Sequence, residues 1–163
     1  KETRGAAEGE ADLFVGRTYV LTPAARAELE TPAAREFLGW LRAIGALPVV
    51  LDPEEHDRIV AYTSHLPQML STALAAVLAQ RLADPEDLRV AGPGLADMTR
   101  LAASPYEIWG DIMATNQPAI QAALDALMAE LGSLRSALSA QGAQEVFQRA
   151  NQFAARLRPQ HRA

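Results

Sequence analysis

Between Asp57 and Thr72 the sequence DRIVAYTSHLPQMLST places one imidazole, one primary amide, three hydroxyls and one carboxylate at helical spacing. At about 100° per residue, Asp57, Ser64, His65, Gln68, Ser71 and Thr72 share about one third of a helix circumference, while Ile59, Leu66, Leu70, Leu74 and Val77 gather on the other side. The polar stripe offers hydrogen bonds and a titratable ring, yet it carries no Lys, Arg or Glu, unlike an ordinary solvent face. Pro67 stands inside the pattern, removes a backbone donor and frees the carbonyl of Thr63, so a kink is expected beside His65. A polar face with so little charge, beside a kink, reads as the wall of a binding site. Further on, Asp97 and Arg100 stand three residues apart, a spacing that by itself gives a salt bridge on one side of a helix.

Other chemistries are excluded by composition. The chain of 163 residues has no cysteine, which removes disulfides, thiol nucleophiles and cysteine-ligated metal. Lys1 is the sole lysine, so a buried Schiff-base lysine is absent. Of the three histidines, His56 and His65 are nine residues apart, which places them on opposite sides of a common helix; no metal site is expected. A formal charge of −5, with no basic cluster before Arg156 to Arg162, argues against a nucleic-acid partner. No apolar run is long enough to cross a bilayer, and no signal-peptide pattern precedes the domain, so a cytoplasmic location is expected.

The elements that must position the stripe are legible in order. Residues 1–16 read as an irregular lead-in. Thr18 to Leu21 and Leu47 to Leu51 are short buried strands. Between them a helix starts at Thr31-Pro32, with threonine as N-cap, and ends at Gly45 in the left-handed region. Strand, helix and strand in this order predict a parallel β-α-β unit, which belongs to a larger sheet than two strands. The chain is therefore expected to be the C-terminal part of something larger.

Asp52-Pro53-Glu54-Glu55 opens the stripe helix with a capping box expected between Asp52 and Glu55, and the pattern holds to about Leu82. A short helix is predicted from Leu95 to Ala102, and another from the capping box Ser104-Pro105-Tyr106-Glu107, carrying Trp109. Beyond Asn116, Ile120, Leu124, Leu127, Leu131, Leu134 and Leu138 form a coiled-coil-like seam that points to dimerisation; Gly142 breaks it before a last helix and an arginine-rich tail. The expected fold is mostly α. A β-α-β remnant of an α/β domain occupies residues 1–52, and an all-helical domain follows over 53–163.

Four stretches, taken together and in order, resemble one family. GRTYVLTP at Gly16, LDPEEHD at Leu51, SHLPQ at Ser64 and GPGLADMTRLAASPYEIWGDIMATN from Gly92 to Asn116 closely resemble the C-terminal part of prephenate and arogenate dehydrogenases, over roughly Lys1 to Leu127. The resemblance implies an N-terminal dinucleotide-binding domain followed by a helical domain that dimerises, with the active site between them. It implies oxidative decarboxylation of prephenate, or of arogenate, with NAD or NADP in tyrosine biosynthesis. The family's catalytic histidine lies in a His-Pro-x-x-Gly motif expected just upstream of Lys1. Neither that motif nor a G-x-G-x-x-G loop occurs here, so the chain alone is expected to be inactive.

By the same resemblance, Arg100 holds a substrate carboxylate, a task that suits a planar guanidinium fork. His65 faces the substrate with Ser64 and Gln68 beside it. Trp109 is close to the site, Gly94 and Asp97 belong to its glycine-containing motif, and Glu2 matches an acid near the entrance. Two positions depart from many relatives: Gln68 stands where a second histidine is common, and Ala96 where a lysine or arginine is common. Both changes remove positive charge potential and leave prephenate against arogenate open. The choice of NAD or NADP and feedback by tyrosine stay open as well. The competing readings are a helical dimerisation or ligand-sensing module without chemistry, and a β-hydroxyacid-type dehydrogenase, which would require a lysine in its helical domain.

Overall fold

A computed structural model of the chain describes residues 9–138 and 142–157. Glu2 and the arginine-rich tail lie outside the described residues. Two strands, Thr18–Leu21 (β1) and Leu47–Val50 (β2), pair in parallel, with Thr18 opposite Leu47 and Leu21 opposite Val50. Helix Pro32–Ala43 (α1) connects them. Thr31 caps it as expected, its Oγ1 accepting the Ala34 N–H at 3.3 Å, and Pro32 takes the first turn. Past the helix, Gly45 adopts φ +80°, a conformation open to glycine, and its carbonyl accepts the N–H of Gly16 at 2.8 Å. Leu41 and Ala46 are buried against this unit, and Tyr19 meets the edge of Phe37 with ring centroids 6.0 Å apart. A 3-10 turn at Arg26–Glu30, unforeseen in the sequence, precedes α1.

The stripe helix runs from Pro53 to Arg81 without leaving the helical state, but in three registers. It comprises Pro53–Val60 (α2), a π turn at Ala61–His65, and Leu66–Arg81 (α3). The disturbance expected at Pro67 thus takes the form of a π turn, in which the Leu66 N–H bonds to the carbonyl of Ala61. Asp52 occupies the N-cap position and Pro53 the first turn, but the expected capping box does not form. Glu55 instead turns to Arg58, which donates from Nε and Nη2 at 2.9 and 2.7 Å; the bidentate guanidinium outcompetes a single backbone N–H.

After α3 come a 3-10 turn at Pro85–Val90 capped by Asp84, helix Pro93–Thr99 (α4), a 3-10 turn at Arg100–Ala103, and helix Tyr106–Thr115 (α5). The single helix expected over Leu95 to Ala102 therefore changes type at Arg100. The capping box expected at Ser104 is not made either: Pro105 is the N-cap, and the Ser104 Oγ accepts the indole N–H of Trp109 at 3.1 Å.

By contacts the chain divides into two compact units, Lys1–Ile120 and Gln121–Ala163. The second holds most of helix Gln117–Ala137 (α6) and helix Ala143–Leu157 (α7), with Glu130 and Arg149 paired at 2.7 Å. Along the leucine seam, Leu131 is 50% and Leu138 76% exposed. The architecture is mostly α, with the β-α-β unit ahead of the helices, as the sequence predicts. Among the described residues no helix is long and apolar enough to cross a membrane.

Candidate functional site

Three residues of the polar stripe are buried, while Ser64 and Thr72 on it are exposed. His65 is 8%, Gln68 4% and Ser71 2% exposed, whereas Val77 on the apolar side is 56% exposed. Burial on that scale requires partners, and each side chain has one. Gln68 Nε2 donates to the carbonyl of Leu101 at 2.9 Å and to Thr72 Oγ1 at 3.1 Å. Ser71 Oγ accepts the backbone N–H of Ala102 at 3.0 Å. Two adjacent turns of α3 therefore clamp the 3-10 turn that carries Arg100. The Arg100 side chain itself is exposed at the start of this turn.

One helical turn before Gln68, His65 meets α5. Its ring lies edge-on to Trp109, with centroids 6.0 Å apart and planes at 87°. Its Nδ1 lies 3.4 Å from Nδ2 of Asn116, and the same Asn116 Nδ2 donates to the backbone carbonyl of Asp57 at 2.9 Å. Asn116 is itself only 7% exposed. A cleft of about 280 Å³ opens here, lined by His56, Asp57, Val60, Ser64 and His65 on one side and Ile112, Thr115 and Asn116 on the other.

Both histidines of the long helix line this cleft, which corrects the expectation that they face opposite ways. Nine steps of about 100° would separate them by about half a turn, but the π turn takes up one extra residue and reduces the separation to about 80°. His56 Nδ1 is 2.9 Å from the Asp57 carboxylate, which accepts its proton. Burial pushes the His65 pKa below the ordinary histidine value; Asp57 pulls it back up and His56 adds to the fall. This shift favours the neutral ring, which has hydrogen-bonding capacity on both nitrogens. Among the described residues no group of three His, Cys, Asp or Glu side chains is placed to hold a metal ion.

Of the residues singled out in the sequence, the structure brings His65 and Ser64 together at the cleft, with Trp109 against the His65 ring and Gln68 on the next turn fastening the Arg100 turn. Gly94 and Asp97 are exposed on α4 and are not among the residues lining the cleft. Ala96 lines a different cavity of about 410 Å³, an apolar one between α3 and α4 shared with Leu78, Leu82 and Leu95. Ser71, placed on the stripe by the sequence, and Asn116 both carry buried bonds at the site, but the sequence reading did not select Asn116. Asn116 was detectable as a polar residue at the break between two helices, directly before Gln117-Pro118.

A dinucleotide needs a glycine-rich turn from a parallel strand into a helix N-terminus. Here β1 runs into Thr22-Pro23-Ala24-Ala25 and β2 into Leu51-Asp52, neither of which contains glycine. The described residues therefore do not fit the pyrophosphate of such a cofactor.

Comparison with known proteins gives a consistent result. Residues 52–152 match the family model for the prephenate dehydrogenase dimerization domain. The chain is 32% identical over 142 residues to a cyclohexadienyl dehydrogenase of Zymomonas mobilis, a match covering 86% of this chain and 48% of that protein. It is 29% identical over 148 residues to a prephenate dehydrogenase of Bacillus subtilis, covering 88% of this chain and 38% of that one. Among solved structures, Synechocystis arogenate dehydrogenase superposes with a TM-score of 0.72 at 28% identity, over 91% of this chain and 54% of that chain. The Aquifex aeolicus prephenate dehydrogenase solved with hydroxyphenyl propionate and NAD+ shares the fold, with a TM-score of 0.78 at 23% identity, over 95% of this chain and 54% of that one. The chain spans about half the length of these relatives, or less.

Proposed function

The chain belongs to the prephenate dehydrogenase family, and from that premise we propose that it is the substrate-binding and dimerising part of an NAD(P)-dependent prephenate dehydrogenase of tyrosine biosynthesis. The observation that carries this reading is the convergence on α3: a buried neutral His65 against Trp109, and one turn further on a guanidinium whose supporting turn is bonded to Gln68 and Ser71. A ligand with two carboxylates needs a fixed cation and directional hydrogen bonds, and fixing both on one helix orients it before reaction.

On this reading Arg100 binds a substrate carboxylate, and His65 and Ser64 contact the remaining polar atoms. Trp109 borders the ring-binding space, and Gln68 acts through the Arg100 turn. Gly94, Asp97 and Glu2 complete the site by resemblance. The cofactor, NAD or NADP, and the catalytic histidine are supplied by residues other than those described, so the chain alone turns over no substrate. The working enzyme is a cytoplasmic homodimer, and static light scattering at micromolar concentration checks the dimer; a monomer mass contradicts it.

Arogenate is the second reading. It is favoured by Gln68, an uncharged residue where many relatives carry a second histidine, since less positive surroundings suit an ammonium in place of a keto group. Steady-state kinetics of Arg100→Ala in the intact enzyme test the site. Loss of the cation that pairs with a ligand carboxylate in the closed, substrate-bound site costs about 2–4 kcal/mol, expected mainly as a raised KM. Unchanged kinetics remove Arg100 from the site.

A further inference from the structure

We infer that Asn116 is a positioning residue for His65, holding the imidazole in the tautomer in which Nδ1 accepts and Nε2 carries the proton. The inference rests on the site reading above for its functional meaning, and on hydrogen-bond logic alone for its geometry.

Asn116 sits where α5 gives way to α6 and is almost fully buried. Its amide has one nitrogen, with two protons, and one oxygen, with none. The nitrogen faces two acceptors at once: the carbonyl of Asp57 at 2.9 Å and Nδ1 of His65 at 3.4 Å. Which end of an amide is nitrogen is settled by its surroundings. Here the Asp57 carbonyl settles it, because a backbone carbonyl only accepts, and turning the amide over would set two oxygens against each other in a buried place. With nitrogen fixed at that position, Nδ1 of His65 must be the acceptor, and a neutral ring then bears its proton on Nε2.

The π turn favours this contact: it narrows the angle between Asp57 and His65 around the long helix, and one amide spans both. The neighbours of the ring are compatible with a neutral state: Trp109 stands at 87° to it, His56 is engaged by Asp57, and among the described residues the Asp57 carboxylate is the one negative group that acts on it. Among the described residues Nε2 has no protein partner, yet no buried side-chain nitrogen or oxygen there lacks one, so Nε2 is in contact with solvent. A neutral histidine of this kind presents an N–H donor outward. It recognises an acceptor, a carboxylate or carbonyl oxygen of a ligand, rather than a hydroxyl or ammonium proton.

The test is nitrogen-15 NMR of the chain labelled at histidine, at neutral pH, with the His65 ring assigned by its loss in His65→Asn. The expected result is a pyridine-like Nδ1 and a protonated Nε2. In Asn116→Asp, a carboxylate in the same space accepts instead of donating, and the proton is expected to move to Nδ1. Asn116→Ala is expected to leave a mixture, with helicity checked by circular dichroism. A wild-type ring protonated on Nδ1 overturns the inference without any variant, and so does a folded Asn116→Asp with the proton still on Nε2.

The same substitution in the intact enzyme separates the two claims. Asn116→Asp is expected to raise KM at least tenfold and to displace the acid limb of the kcat/KM profile to higher pH. If the tautomer is as stated but the intact protein turns over neither substrate, the functional reading fails and the positioning role of Asn116 stands.

Discussion

Removing the Ser71 hydroxyl tests whether α3 holds the Arg100 turn. Ser71 is 2% exposed and accepts the N–H of Ala102 at 3.0 Å; Gln68, 4% exposed, donates to the neighbouring carbonyl of Leu101. In Ser71→Ala the part-buried Ala102 N–H stays in place without its acceptor, and an unpaired donor shielded from water costs about 1–3 kcal/mol. Gln68→Ala removes two bonds and leaves a small void, with a penalty at or above the top of that range. Both side chains fasten one short turn, so their effects are expected not to add. The double variant should be less destabilised than the sum by about 0.5 kcal/mol or more. Urea unfolding followed by tryptophan fluorescence gives all three values, provided the slopes agree with the wild type. A Ser71→Ala penalty below about 0.5 kcal/mol, of the size seen for exposed sites, refutes the clamp. Full additivity refutes the sharing of one turn.

Two further outcomes follow from single positions. Gly45→Ala places a Cβ 3.2 Å from Val15 Cα at φ +80°, so it should destabilise by about 1–2 kcal/mol or more, read as a lowered urea midpoint. An unchanged midpoint contradicts the left-handed turn after α1. For His65, whose pKa burial depresses below 6.5, the unfolded chain takes up the proton first as the pH falls. Stability is therefore fully present above about pH 6.5 and declines as the pH drops through the folded value. Comparing urea midpoints at pH 7.5 and 5.5, the wild type should lose more than His65→Gln; equal losses show that the ring is not buried neutral.

Much of the fold was legible because local rules and tertiary packing agree. Thr31-Pro32 and Gly45 bound α1 as their backbone preferences dictate, and the β-branched runs on either side pair in parallel. The burial of His65, Gln68 and Ser71 was legible because a solvent face would have carried Lys, Arg or Glu. What escaped was decided by competing side chains nearby, by partners distant in sequence or by a change of helical pitch. Ser104 was read as a cap but is taken by the indole of Trp109, and Glu55 is taken by Arg58. The opposed placing of His56 and His65 assumed a constant 100° per residue, which the π turn at Ala61–His65 breaks. Asn116 was missed because its two acceptors, 59 and 51 residues away, leave no periodic trace.

Reduction of NAD and NADP by the intact enzyme, offered prephenate and arogenate in parallel, bears most directly on the proposed function. Turnover of prephenate is expected, with the ratio to arogenate reporting how far Gln68 shifts the preference. No turnover of either by a folded protein that includes the dinucleotide-binding domain contradicts the assignment and leaves a helical binding module in its place.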